Sequence, residues 1–121
     1  MAGSANVNLS LRVSGLGKTT LNLPDSFDGT TPTAALANKC TMGTAAEGEA
    51  LDLGDVSTIE GVIIRAIDKV LDVDTTWDTT FEAQITIPVG QSVYFKPAGT
   101  VYVRENVSDE TPAYEYIVYG T

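Results

Sequence analysis

The sequence predicts an all-β protein, folded as an antiparallel β-sandwich with a jelly-roll-like arrangement of strands. Three observations lead to this prediction. Short runs of alternating apolar and polar residues recur along the chain, and this period of two is typical of strands with one buried and one exposed face. Turn signals separate the runs at the spacing expected of a sandwich or barrel. No stretch keeps a helical period, and the 121 residues suit a single domain.

The N-terminal part of the chain predicts two strands followed by a loop. Residues 7–13 alternate between apolar and polar side chains, and the glycines of residues 15–17 turn the chain. A second strand covers residues 19–23 and stops at Pro24. Residues 25–33 are rich in Ser, Asp, Gly, Thr and Pro, so they predict a loop.

Residues 33–54 predict two strands that pair around Gly43. The alternative for residues 33–38 is a single helical turn, because alanine accepts a helix. Residues 55–57 then form a turn. The run at residues 59–67 is strongly apolar and β-branched, which favours a central strand of a sheet.

The next segments predict short strands around an exposed loop. Residues 70–73 form a strand, and the polar residues 74–80 form a loop that carries Trp77. Residues 81–87 alternate again and predict another strand.

A β-hairpin is predicted over residues 93–104, because two alternating runs flank Pro97-Ala98-Gly99, a short turn in which Gly99 can adopt a positive φ. A loop at residues 106–112 leads to the last strand, residues 113–119. Val93, Phe95, Val101 and Val103 are predicted to face inward. In the last strand, Tyr114, Tyr116 and Val118 lie on the face opposite to Glu115, Ile117 and Tyr119.

The composition excludes several kinds of function. Seven Lys and Arg face sixteen Asp and Glu, and the net charge of -9 argues against binding to nucleic acid or to anionic membrane surfaces. The chain has no histidine, which excludes Ser-His-Asp and Cys-His nucleophiles. Cys40 is the only cysteine, so neither an internal disulfide nor a thiolate zinc site is expected, and a buried structural thiol is favoured.

The N-terminus shows no secretory pattern, and no apolar run reaches membrane-spanning length. We therefore expect synthesis in a cytoplasm. No cofactor is expected.

Residues 15–20, GLGKTT, resemble the tail of a phosphate-binding loop. Arg12 stands where the first glycine of that motif belongs, and a strand rather than a helix is predicted to follow. A β-turn is the favoured interpretation.

Two groups of carboxylates resemble chemical sites. Asp68, Asp72, Asp74 and Asp78 could bind Ca²⁺ at a subunit contact, but their spacing lacks the calcium-loop frame, so a solvated acidic rim is favoured. Glu47 and Glu49 share a face of a predicted strand and could act as a glycosidase pair. Two exposed glutamates on a wet sheet face are the favoured interpretation, because nothing apolar surrounds them.

The aromatic residues offer candidates for partner binding. Trp77 is either an anchor for a sugar or a protein, or a cap on the end of the sandwich. Outward tyrosines on adjacent strands indicate a protein-binding surface, with ordinary cross-strand packing as the alternative. The four residues predicted to contact a partner are Trp77, Tyr94, Tyr102 and Tyr119.

The layout of the C-terminal half carries a resemblance. Its segments, in order, are residues 61–64 (GVII), 87–88 (IP), 90–91 (GQ), 93–97 (VYFKP), 101–103 (VYV) and 114–119 (YEYIVY). This layout resembles small virion proteins of tailed bacteriophages, whose β-sandwich domains decorate capsids or sit on fibres.

The resemblance implies a structural virion protein, not an enzyme, which is made in the host cytoplasm and located in the virion. A capsid decoration or cement protein of this kind binds the major capsid protein, stabilises the coat lattice and forms homodimers or homotrimers. Linked weak contacts bind far more tightly than single ones. Residues 1–6 could extend as an arm across a neighbour by strand addition.

Three alternative functions remain open from the sequence. One is a structural protein of the tail or fibre. Another is a carbohydrate-binding module that stacks sugars on Trp77 and outward tyrosines, with Ca²⁺ held by the acidic loop. A hydrolase with a carboxylate pair ranks below both.

Overall fold

The computed structural model describes residues 3–13, 21–28, 32–43 and 47–121, which contain ten β-strands and no helix. The strands are β1 (Asn6–Val13), β2 (Leu21–Asp28), β3 (Ala34–Thr41), β4 (Glu49–Ala50), β5 (Ile59–Ala66), β6 (Leu71–Trp77), β7 (Ile85–Ile87), β8 (Ser92–Phe95), β9 (Thr100–Glu105) and β10 (Ala113–Gly120).

The strands form two four-stranded antiparallel sheets and one separate hairpin. The order is β3-β10-β5-β8 in the first sheet and β4-β9-β6-β7 in the second. The pairing is nested, because β3 pairs with β10, β4 with β9, β5 with β8 and β6 with β7. Successive pairs lie in alternate sheets, so the chain from β3 to β10 is one long hairpin wrapped around the core. The remaining strands, β1 and β2, pair with each other.

The core lies between the inner faces of the two sheets, where alternate side chains of the strands interdigitate. Val62, Ile64 and Val118 of the first sheet are fully buried, as are Val73 and Val103 of the second. Burial of these apolar side chains is the main term that favours folding. The all-β sandwich predicted from the alternating pattern is thereby confirmed.

Several predicted elements are confirmed. The apolar run at residues 59–67 becomes β5, which lies inside the first sheet between β10 and β8. Residues 34–41 form the strand β3 and not a helical turn. The last strand alternates as expected, with Tyr114, Tyr116 and Val118 facing the core.

The predicted hairpin over residues 93–104 is wrong in its pairing. β8 pairs with β5 in the first sheet, whereas β9 pairs with β4 and β6 in the second sheet. The turn therefore carries the chain from one sheet to the other, and the N–H of Gly99 donates to the carbonyl oxygen of Thr75 at 3.1 Å. Alternation specifies which side chains are buried but not which strand is the neighbour. Positive φ occurs at Gly48, Gly54, Gly90 and Asp109 of the described residues, and not at Gly99.

The strand pair predicted around Gly43 is also corrected. β3 belongs to the first sheet, while the short β4 belongs to the second, so the two do not pair. The loop predicted at residues 25–33 is wrong for residues 25–28, because β2 runs to Asp28. Pro24 of β2 is the cross-strand partner of Ser10. A proline fits this position because a two-stranded hairpin has edges on both sides. The turn predicted at residues 15–17 lies outside the described residues.

Residues 74–77 were predicted to begin an exposed loop, but β6 continues through Trp77. The strand predicted at residues 81–87 is reduced to β7 at its end. Of the predicted arm of residues 1–6, residues 1 and 2 lie outside the described residues, and Asn6 begins β1. Its base is held to the body by the N–H of Gly3, which donates to the carbonyl oxygen of Pro32 at 2.7 Å.

Candidate functional site

The outer face of the first sheet, the side turned away from the core, is built of three rows of side chains that cross the strands. They are an end row of Ala35, Tyr119 and Gly61, a central row of Ala37, Ile117, Ile63 and Tyr94, and a charged row of Lys39, Glu115, Arg65 and Ser92. Each row contains residues that are direct cross-strand partners, so their side chains are neighbours.

The central row exposes apolar side chains in the middle of the sheet. Ile117 is 49% exposed and its partner Ile63 is 40% exposed, although both lie within regular strands. Contiguous apolar surface of this kind marks an interaction site more often than an isolated exposed residue does.

The charged row lies beside the central row. The Arg65 guanidinium contacts the Glu115 carboxylate at 3.5 Å, and both side chains are about half exposed. An exposed pair of this kind contributes about 1 kcal/mol or less to stability. With Lys39, the row carries two cations and one carboxylate, in a protein whose net charge is -9.

Tyr119 of the end row contacts Tyr94 of the central row. The Tyr94 and Tyr119 hydroxyl oxygens lie 2.7 Å apart in a hydrogen bond. They meet over Gly61, where an added Cβ would come within 2.6 Å of both oxygens. Burial raises the pKa of Tyr119 to about 12, and the hydrogen bond with Tyr94 adds to this effect. Glycine inside this strand therefore serves a close approach of side chains.

Two grooves lie on the outer face. One, of about 550 Å³, runs over the charged row and the isoleucines of the central row. The other, of about 460 Å³, separates Ser4 to Leu9 at the start of the β1–β2 hairpin from Ile63, Ile117 and Tyr119. The outer face is thus grooved on both sides, largely apolar toward its end row and charged at the other side.

The β1–β2 hairpin presents a second apolar surface. Val7 is half-buried, Leu9 is 45% exposed and Leu11 is 62% exposed, while the residues between them are polar. This stripe becomes more exposed with distance from the root of the hairpin. An isolated two-stranded hairpin is only marginally stable in water, so its apolar stripe favours contact with another surface.

The acidic cluster predicted at the rim is divided by the structure. Asp72 and Asp74 are buried, at 6% and 1% exposure, so the solvated rim is wrong for these two residues. Asp72 accepts hydrogen bonds from the Thr86 hydroxyl at 2.8 Å and from the Asn106 amide at 3.2 Å. Buried carboxylates persist where such donors replace water.

Asp74 holds the segment between β6 and β7. Its Oδ1 accepts the N–H of Thr76 at 2.8 Å and its Oδ2 accepts the N–H of Glu82 at 3.0 Å. Asp78 is exposed, and bonds from the N–H groups of Thr80 and Thr79 lower its pKa. Among the described residues, no cluster of three or more His, Cys, Asp or Glu side chains could hold a metal ion.

Trp77 lies at the end of β6 rather than in a loop. Its ring stacks on Tyr102 with centroids 4.1 Å apart and planes 6° from parallel, and its Nε1 is buried without a hydrogen-bond partner. The stack covers one face of each ring. The four predicted partner-binding residues therefore divide into two pairs, Tyr94 with Tyr119 on the first sheet and Trp77 with Tyr102 on the second.

The predicted carboxylate pair has structural contacts. Glu47 precedes β4 and accepts the N–H of Phe81 at 2.6 Å, while Glu49 accepts the N–H of Gly43 at 2.7 Å. Glu47 is exposed and Glu49 is half-buried, so the description of both as exposed strand residues is only partly right. Each carboxylate anchors a loop.

Cys40 is half-buried rather than buried. It lies in β3, opposite Tyr114 of β10. Residues 15–20, which resemble a phosphate-binding loop, lie outside the described residues.

Sequence reasoning missed the isoleucines of the central row. Ile63 stands between Val62 and Ile64, and the continuous apolar run predicts a central strand without indicating which side chains face outward. Ile117 gave a usable signal, because it occupies an outward position in a strand that otherwise alternates strictly.

Comparison of the chain with protein-family models, curated proteins and solved structures gives no match. Among the residues that the structure describes, none forms a helix with the length and apolar character needed to cross a membrane.

Proposed function

We propose that the protein is a structural virion protein, a capsid decoration or cement protein that binds the major capsid protein and stabilises a bacteriophage coat lattice. The observation that carries this proposal is the β1–β2 hairpin, which pairs with neither four-stranded sheet and exposes Leu9 and Leu11. No catalytic step is part of the proposal.

The hairpin has the properties of an attachment arm. Eight paired residues per strand extend over roughly 27 Å, long enough to reach across a subunit boundary. Covering the exposed parts of Leu9 and Leu11 would contribute about 1 kcal/mol each. Such a contact is weak alone and becomes strong when several arms on one lattice are linked.

The nested strand order supports a jelly-roll fold, which we infer from the wrapped hairpin of β3 to β10. In that fold two Greek keys place eight strands in two sheets, as in viral capsid domains and lectins. The fold agrees with a virion protein but does not select it, since one fold serves many functions. The exposed surfaces therefore carry the functional argument.

The same surfaces give less support to a carbohydrate-binding module. A sugar-stacking platform needs a free aromatic face, and the Tyr102 ring already covers one of the two faces of Trp77. A Ca²⁺ held by the acidic loop would need free carboxylate oxygens, and those of Asp72 and Asp74 accept hydrogen bonds from protein donors.

Co-sedimentation with purified particles tests the proposal. The wild-type protein should sediment with intact phage and with tailless capsids, while a Leu9→Ser/Leu11→Ser variant should bind at least about tenfold more weakly because its apolar stripe is lost. The matched control is Val89→Ser/Val107→Ser, which alters two valines that are 49% and 53% exposed elsewhere.

Equal binding by the two double variants would contradict the role of the hairpin. Binding to intact phage but not to tailless capsids would place the protein on the tail or fibre instead. A wild-type protein that binds neither particle would overturn the proposed function.

A further inference from the structure

We propose that the groove between the β1–β2 hairpin and the outer face of the first sheet binds an uncharged, apolar segment of a partner chain. Residues 4–9 form one wall of this hairpin groove, and the other wall contains Ile63, Tyr94, Ile117 and Tyr119. The inference rests on the proposed function in one respect, namely that the partner chain is the major capsid protein. It adds that the bound segment contacts both the hairpin and the sheet, rather than the hairpin alone.

Both walls present apolar side chains that are incompletely covered. On the sheet wall, Ile63 and Ile117 are 40% and 49% exposed within regular strands. On the hairpin wall, Val7 is half-buried and Leu9 is 45% exposed, and these two residues share one face of β1 because they are two positions apart. An apolar segment in the hairpin groove would therefore be removed from water on two sides, which favours binding.

The chemistry of the lining selects the kind of ligand. None of the described residues that line the hairpin groove is charged, although the chain carries seven Lys and Arg and sixteen Asp and Glu. A charged segment would lose water there without gaining a counter-charge, which is costly. An uncharged segment avoids this cost, so the lining favours apolar side chains over acidic or basic ones.

The second groove on the same face is different in this respect. It is lined by Lys39, Arg65 and Glu115 together with the isoleucines of the central row. An apolar segment placed there would cover charged groups. The hairpin groove is therefore the better place for an apolar ligand.

The size of the hairpin groove limits what it can hold. Its volume is about 460 Å³, within the range of roughly 300–1,000 Å³ that is usual for sites that bind small ligands. A groove of this size accommodates a few side chains of a segment and not a folded domain. The partner should therefore contribute a short stretch of chain.

Hydrogen bonds hold both walls in place. The N–H of Gly3 donates to the carbonyl oxygen of Pro32 at 2.7 Å and so ties the hairpin root to the start of the first sheet. On the sheet wall, the Tyr94 and Tyr119 hydroxyl oxygens lie 2.7 Å apart over Gly61. A site that is formed before binding saves the entropy cost of ordering its groups, which strengthens binding.

A substitution that fills the hairpin groove tests the proposal. Ala35 is exposed in β3 and lines this groove, whereas Ala37 is exposed in the same strand and lines the second groove. Ala35→Phe should weaken co-sedimentation with phage particles at least about tenfold, because the added ring occupies the space of the segment. Ala37→Phe is the matched control and should bind as the wild type does.

Both variants leave Leu9 and Leu11 unchanged, so a contact made by the hairpin alone predicts wild-type binding by both. That result would overturn the proposal. Equal loss of binding in the two variants would also overturn it, because the contact would then not be confined to the hairpin groove. Circular dichroism of both variants checks that they fold.

Loss of the sheet wall gives a second test on the same particles. Ile63→Ser/Ile117→Ser should weaken binding at least about tenfold, since one apolar wall is removed. The control is Val89→Ser/Val107→Ser, which alters two exposed valines outside the lining. Wild-type binding by the isoleucine variant would show that the sheet takes no part, and the proposal would be wrong.

An apolar dye tests the hairpin groove without particles. Nile red is uncharged and its fluorescence rises in an apolar site, so it should bind the wild type and Ala37→Phe but not Ala35→Phe. No binding to the wild type, or equal binding to all three proteins, would overturn the hairpin groove as an apolar site. Dye binding that only Ala35→Phe abolishes, in a protein that binds no particle, would support the groove and overturn the proposed function, so the two fail separately.

Discussion

At the scale of single residues, position in the fold decides the role of a side chain more than its chemical type does. Asp72 and Asp78 belong to one acidic sequence segment, yet the first is 6% exposed and the second lies open to solvent. Gly61 is a second example, because its missing side chain provides the space in which two tyrosine hydroxyls meet. Neither fact follows from the local sequence, since both depend on segments far away in the chain.

The Tyr119 hydroxyl should titrate near pH 12 in the folded protein. Its pKa is raised from 10.0 to about 12, first by burial and then by the hydrogen bond with Tyr94. A raised pKa means that the neutral phenol favours the folded state. This contribution is complete below pH 10 and is lost as the pH rises through about 12.

Ultraviolet absorbance of the phenolates measures this titration. Comparison with a Tyr119→Phe variant isolates the residue, because burial also raises the pKa of Tyr114 and Tyr116. The step that the substitution removes should lie near pH 12, and the free energy of unfolding should fall more steeply above pH 10 in the wild type. If the titration step removed by Tyr119→Phe lies near pH 10 instead, the Tyr119 hydroxyl is not held in this contact.

At the scale of strands, the sequence predicts faces well and neighbours poorly. Val93, Phe95, Val101 and Val103 all face the core as their alternation predicts, but β8 and β9 lie in different sheets. The same limit applies to β6, where the polar run at residues 74–77 predicted a loop. Asp74 is buried where it accepts the N–H of Thr76 in β6 and the N–H of Glu82, and this second contact comes from outside the strand.

Asp74 should contribute more to stability than Asp78, although both cap backbone N–H groups. Replacing Asp74 with alanine leaves the N–H groups of Thr76 and Glu82 without their acceptor in a buried site, which should cost about 3 kcal/mol. The exposed N–H groups around Asp78 can bond to water instead, so Asp78→Ala should cost less than about 1 kcal/mol.

Urea unfolding of the two variants gives both values, and Asp78→Ala is the matched control. Equal losses of stability would mean that the burial of Asp74 does not strengthen its contacts.

At the scale of the whole molecule, the two four-stranded sheets share one buried core, whereas β1 and β2 form a separate two-stranded sheet. The buried apolar residues from Met42 to Val118 all lie in the nested strands and their connections. The sequence predicted the sandwich because its buried faces repeat with period two. It did not predict the nested order, because pairing between distant strands such as β3 and β10 depends on the wrapping of the entire chain.

Removal of residues 1–31 should therefore leave a folded double sheet. The hairpin pairs with neither four-stranded sheet, and a backbone hydrogen bond between Gly3 and Pro32 ties its root to the body. We expect the free energy of unfolding to change by about 1 kcal/mol or less, as for the loss of a few surface contacts. The truncated protein should lose particle binding with the leucine stripe. Urea unfolding and co-sedimentation measure the two properties. A truncated chain that unfolds would show that the hairpin stabilises the first sheet, because residues 4–9 line one groove with Ile63, Tyr94, Ile117 and Tyr119 of its outer face.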